Sequence, residues 1–269
     1  MSDSRHLDLI ERAQRLLRQQ SELYGPFNVD ISLKTNSFAT SSSEEVSNET
    51  LADVDIKTEE SSENVVVQEE KTERNIQELI ANCSTLEELK ALCESSEELR
   101  TDLDQTNLVF GVGNPNADLM IVGEAPGDNE DKQGEPFVGA AGQLLDKIMK
   151  SIDFDRSDIY IANILKHRPP NNRDPKPEER EQSLPFLLRQ IELINPKLIL
   201  CVGRVSGTTL LGKDSTLKHM RQKFHEFQDR ELMVTYHPAA LLRNAQWKRP
   251  TWEDVQMLRT RYNELGGQP

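Results

Sequence analysis

The sequence predicts an α/β fold, a three-layer sandwich around a central, mainly parallel four-stranded sheet, preceded by a helical and disordered N-terminal extension. Three observations carry that expectation. Past residue 105, short apolar runs alternate with helical segments, the pattern of parallel strands joined by crossover helices. The runs are apolar at nearly every position, as strands covered on both faces must be. The charge also divides the chain: residues 1–100 carry 22 Asp/Glu against 10 Lys/Arg, whereas residues 101–269 carry 24 against 22. The net charge of -14 therefore belongs mostly to the first part, and the remainder is free to meet a polyanion.

In chain order, residues 1–25 hold a short amphipathic helix. Leu7, Ile10, Ala13, Leu16 and Leu17 recur at helical spacing, on a helix that packs on its own domain or docks a protein partner. Residues 26–73 read as an acidic, Ser-rich linker, with NSFATSSSEEVSNETLADVDIKTEESSENVVVQEE at its centre. From residue 74 the helical pattern returns, and Ser84 with Glu87 or Glu88 marks a helix start. A single domain follows over residues 74–265. Its strands are expected at residues 117–123, 158–164, 197–203 and 231–236, and its helices at 140–151, 177–194, 205–211 and 251–265. Pro185 is expected to kink the second of these helices.

Composition excludes several classes. A hydrophobic share of 36% is low for a chain of 269 residues folded throughout, in keeping with an unfolded arm. No stretch is long and apolar enough to span a bilayer, and acids interrupt the first residues where a signal peptide needs an apolar core. Cys83, Cys93 and Cys201 form an odd, scattered set that suits a reducing compartment. A cytoplasmic monomer is expected.

Chemistry-bearing residues follow the strand candidates, where ligands bind in such sheets. The first strand runs into Gly123-Glu124-Ala125-Pro126-Gly127. The second carries Asn163 near its end, then Lys166-His167-Arg168-Pro169-Pro170. The fourth runs into His237-Pro238-Ala239-Ala240-Leu241-Leu242-Arg243. A carboxylate, an amide and an imidazole thus share one sheet edge, rimmed by basic residues. An amide offers a donor and an acceptor in one plane, which suits a nucleobase edge. Phe137, set between Pro136 and Gly139, offers a face for a base to stack on.

GEAPGDNED, GEPFVGAAGQLLD, YIANILKHRPPNNR and HPAALLR, in this order and spacing, resemble family 4 uracil-DNA glycosylases of bacteria and archaea, as does the lead-in TNLVFGVGNPNADLMIVGEAPG. The resemblance implies hydrolysis of the bond between uracil and deoxyribose in DNA, the first step of base-excision repair, with the base flipped into a pocket. It assigns Glu124, Ala125, Pro126, Phe137, Asn163 and His237 to that pocket. His237 is the expected donor to uracil O2, or else only a cap for the strand end. Asn163 is expected to read O4 and N3–H. Glu124 has three readings: it orients water, supports the sugar cation, or shapes the loop. Leu241 or Leu242 is the expected wedge, and Lys166, Arg168, Arg173 and Arg243 are expected at the DNA backbone.

The resemblance also implies a 4Fe–4S cluster on four cysteines, yet the corresponding positions read Cys93, Ser96, His167 and Ser183. One thiolate and one imidazole do not replace four thiolates, so no cofactor is expected. Two rivals stay open at this stage. One is a non-catalytic uracil- or DNA-binding module or regulator of the same fold. The other is a nucleotide-binding protein using GEAPG as a phosphate loop, although it lacks a GK[ST] ending.

Overall fold

The computed structural model describes residues 76–268 apart from residue 104. The helix expected over 1–25 and the linker expected over 26–73 lie outside the described residues. Residues 76–82 are helical, and α1 (Leu86–Ser95) follows. Its start is a capping box shifted one residue from the expected position. Thr85 Oγ1 accepts from Glu88 N at 3.1 Å, and the Glu88 carboxylate accepts from the Ser84 and Thr85 amides at 2.6 and 3.3 Å.

The sheet has six strands, in the order β1-β3-β2-β4-β6-β5. Four of them are the expected parallel core: β2 (Leu119–Gly123), β3 (Tyr160–Asn163), β4 (Leu198–Val202) and β6 (Arg230–Thr235). Two antiparallel edge strands extend it. β1 (Val112–Gly113) pairs with β3, and β5 (Phe224–Phe227) pairs with β6. Neither carries a strand signal in sequence, since β1 is two residues, one of them glycine, and β5 is a half-exposed Phe-His-Glu-Phe stretch at an edge.

The layers follow from strand alternation. Met120, Val122, Ile199, Cys201, Leu232 and Val234 face one side and pack with Leu187, Ile191 and Ile194 of α4 (Pro177–Ile194), which runs as one helix through Pro185. Leu119, Ile121, Ile161, Leu198, Leu200 and Met233 face the other side. They pack with Leu145 and Met149 of α3 (Ala140–Lys150) and with Val255, Leu258 and Tyr262 of α8 (Lys248–Glu264). A third cluster ties the lead-in to α4 through Ile80, Leu89, Cys93, Leu99, Phe110 and Phe186.

Shorter helices complete the domain: α2 (Asp128–Gln133), α5 (Arg204–Leu211), α6 (Leu217–Met220) and α7 (Pro238–Arg243). The chain leaves β2 toward β3 on one side and leaves β4 toward β6 on the other. The switch point therefore lies beside β2 and β4, and the carboxyl ends of the strands open a crevice there.

Candidate active site

The carboxyl end of β2 is where three sequence-distant groups meet. Gly123 pairs in register with Asn163. A Cβ placed on Gly123 would lie 2.3 Å from Asn163 Oδ1 and 2.6 Å from Phe137 Cζ, so only glycine lets the amide and the ring close over the strand end. Two backbone bonds fix the approach: Ile164 N donates to Gly123 O at 3.1 Å and Leu165 N to Glu124 O at 3.0 Å. Asn163 is 1% exposed, and among the described residues its Oδ1 has no hydrogen-bond partner. A buried acceptor left unmatched is costly unless a ligand donor completes it.

His237 enters from β6. Its ring centroid lies 5.5 Å from that of Phe137, at an interplanar angle of 32°. It is also the cap of α7, because its Nδ1 accepts from Ala239 N at 3.2 Å. The structure thus gives this histidine a capping role, and the cap fixes which ring nitrogen carries the proton. A ring whose Nδ1 accepts must carry its proton on Nε2 when neutral. Burial, reinforced by the charge on Arg243, pulls the pKa down to about 4, so the ring is neutral at physiological pH.

Glu124 follows β2 and lines the same space. Burial, with Asp174 nearby, pushes its pKa up to about 7, while Arg204 and Arg180 pull the other way. Phe137 is held by a loop that turns back on α2. Glu130 Oε1 accepts from Val138 N and Gly139 N at 3.0 and 2.8 Å. Sequence reasoning passed over Glu130, because an acid in the first turn of a helix has an ordinary explanation in the helix dipole.

A cavity of about 470 Å³ opens between these elements. Glu124, Ala125, Pro126, Phe137, Asn163 and His237 all line it, together with Arg173 and Arg243. The volume lies within the range of small-ligand sites, ~300–1,000 Å³.

The basic residues fare differently. Lys166 is fully buried, and its ammonium donates to Phe110 O at 3.3 Å, Asn163 O at 3.0 Å and Gln190 Oε1 at 2.5 Å. Burial lowers its pKa to about 8. The expectation of a DNA-backbone contact at Lys166 is therefore corrected: this lysine supports the main chain beneath Asn163. Leu241 is likewise corrected, because at 1% exposure it packs inward, whereas Leu242 is 52% exposed. Arg168 pairs with Asp128 at 2.7 Å, and Arg173 pairs with Glu179 and Asp102 at 2.6 and 3.0 Å. Arg243 is exposed at the end of α7.

Similarity to known proteins gives the family. The Uracil DNA glycosylase superfamily matches residues 110–256, more than half of the chain. The chain belongs to this superfamily. It is 43% identical over 162 residues to a Type-4 uracil-DNA glycosylase of Archaeoglobus fulgidus, covering 57% of this chain and 81% of that relative. A Type-4 uracil-DNA glycosylase of Sulfurisphaera tokodaii is 44% identical over 164 residues, covering 58% and 74%. One of Thermotoga maritima is 40% identical over 158 residues, covering 57% and 82%.

Membership brings the question of the cluster, and the donor set does not fit it. Cys93 is 1% exposed and is the one thiol at the four positions, whereas the cluster needs four thiolates. Ser96 Oγ donates to Leu92 O at 2.8 Å, and His167 Nδ1 shares a 2.9 Å hydrogen bond with Thr106 Oγ1. Ser183 is buried in α4. Among the described residues, no group of three or more His, Cys, Asp and Glu side chains is arranged to hold a metal ion.

Proposed function

We propose that this chain hydrolyses the N-glycosidic bond of uracil in DNA, as the names of its superfamily relatives indicate for those proteins. The observation that supports this best is the buried Asn163 Oδ1, unpartnered among the described residues, in a cavity that it lines together with the Phe137 ring and the neutral His237 imidazole. Asn163 Oδ1 accepts from uracil N3–H while its Nδ2 donates to O4. Cytosine presents a bare N3 and an exocyclic amine, reversing both. Phe137 stacks on the everted base, whose removal from the helix costs about a few kcal/mol.

Bond cleavage leaves positive charge on the sugar and negative charge on the departing pyrimidine. His237, neutral and protonated on Nε2, donates to O2 where that anion forms, and its geometry is set before reaction by the α7 cap. Glu124, ionised above about pH 7, orients the attacking water and supports the sugar cation. Leu242 fills the space left in the duplex, and Arg243 meets a phosphate beside it. The chain works without an iron–sulfur cluster, its lead-in held instead by the packing around Cys93 and Phe186. Residues 74–265 are the enzyme domain.

The test is incubation with uracil-containing single- and double-stranded DNA, followed by alkali. Strand scission at the uracil positions is expected. Binding without scission would leave the non-catalytic module as the better account.

A further inference from the structure

Phe137 adopts φ of +55°, in the left-handed region that a residue with a Cβ seldom occupies. Something must hold it there, and three parts of the chain converge on its peptide. On the carboxyl side, the Val138 and Gly139 amides are bound to Glu130. Below, Gly142 of α3 lies so close that a Cβ there would fall 1.7 Å from Phe137 O. On the amino side stands Arg156, in the segment between α3 and β3. Its Nη2 donates to Pro136 O, and its Nη1 donates to Phe137 O at 3.3 Å and to Asp146 Oδ1 at 3.0 Å. The planar guanidinium thus bridges two successive carbonyls while a carboxylate of α3 fixes its own position.

We infer that Arg156 is a positioning residue for the stacking platform: its fork holds the Pro136 and Phe137 carbonyls so that the Phe137 backbone stays left-handed and the ring faces the pocket. Arg156 acts through Phe137, not on the DNA. Its side chain is 28% exposed, and both of its nitrogens that reach these carbonyls are committed to the chain itself. The inference rests on the uracil-excision reading above. An inactive wild-type protein would count against that reading, whereas an active one tests Arg156 separately.

The experiment is a double-substitution cycle in single-turnover excision, with melting temperature recorded for each protein. Stacking on one aromatic is worth about tenfold to a hundredfold in nucleic-acid sites, so Phe137→Ala should lose about that much, and Arg156→Met a similar or smaller amount. In the Phe137→Ala background, Arg156→Met should change the rate by less than about twofold. Inhibition by free uracil should weaken in Arg156→Met, while affinity for uracil-free DNA stays unchanged. Arg156→Lys keeps the charge but not the two-pronged reach, and should fall with Arg156→Met. If Arg156→Met does not fold, Asp146→Asn, which frees the guanidinium from its anchor, should show a milder loss that also vanishes in the Phe137→Ala background. The inference is overturned by a wild-type rate in Arg156→Met or Arg156→Lys, by full additivity with Phe137→Ala, or by weaker binding to uracil-free DNA with unchanged uracil inhibition.

Discussion

His237 does two jobs with two nitrogens, and the first makes the second possible. Because Nδ1 caps α7, the proton sits on Nε2, and because the ring is buried it stays neutral down to about pH 4. His237→Ala should slow excision on the order of 10²–10³-fold with little change in substrate affinity, measured under single-turnover conditions. Glu124 supplies the pH dependence instead. Excision should rise with pH through about 7 as its carboxyl ionises, and Glu124→Gln should flatten that rise. The same shift acts on stability with a definite sign. The folded pKa is raised above the ordinary carboxylate value, so the neutral carboxyl favours the fold below about pH 4.5 and that contribution is lost as pH climbs through about 7. Glu124→Gln should therefore melt higher than wild type at pH 8, by about 1–3 kcal/mol in stability, and should match it near pH 4. Residue types were legible in the sequence here, but partners were not. Glu124, Asn163, Phe137 and His237 were found from motif and strand-end position. Lys166 was misread because nothing in Leu-Lys-His-Arg says that the lysine turns inward to the carbonyls of Phe110 and Asn163.

At the scale of elements, helix α7 shows how a short segment divides its labour. Leu241 is buried and Leu242 faces outward from the next position, so of the paired leucines only Leu242 is free to act as the proposed wedge. Leu241→Ala should cost about 2–5 kcal/mol in urea unfolding. Leu242→Ala should leave that stability within about 0.5 kcal/mol and slow excision from duplex more than from single-stranded DNA. Ahead of α7, Tyr236 stacks on Trp247 at 5.0 Å and carries the Arg221 guanidinium 4.2 Å from its ring centre, steadying the strand end that delivers His237. The four parallel strands and the helices between them were legible because apolar runs and helical periodicity are strong signals. β1 and β5 were not, since one is two residues long and the other is a short, half-exposed stretch at the sheet edge with too few apolar positions to show an alternation.

For the whole molecule, the cluster question and the charge question both concern what holds a DNA-facing edge on an acidic chain. With Ser96, His167 and Ser183 at three of the four cluster positions and Cys93 the one thiol among them, the purified full-length protein should be colourless and hold no stoichiometric iron or sulfide; a brown protein with both would overturn this prediction. The rim is less basic than its sequence suggests, because Arg168 and Arg173 are already paired with acids of the chain. The account depends above all on the pocket reading one base. The most direct measurement is quantification of free uracil released from a uracil-containing oligonucleotide by wild type and Asn163→Ala side by side. Wild type should release uracil in turnover, and Asn163→Ala should do so more slowly by about 10²-fold or more while melting at the same temperature. No uracil from the wild-type protein, or equal rates from the two, would contradict it.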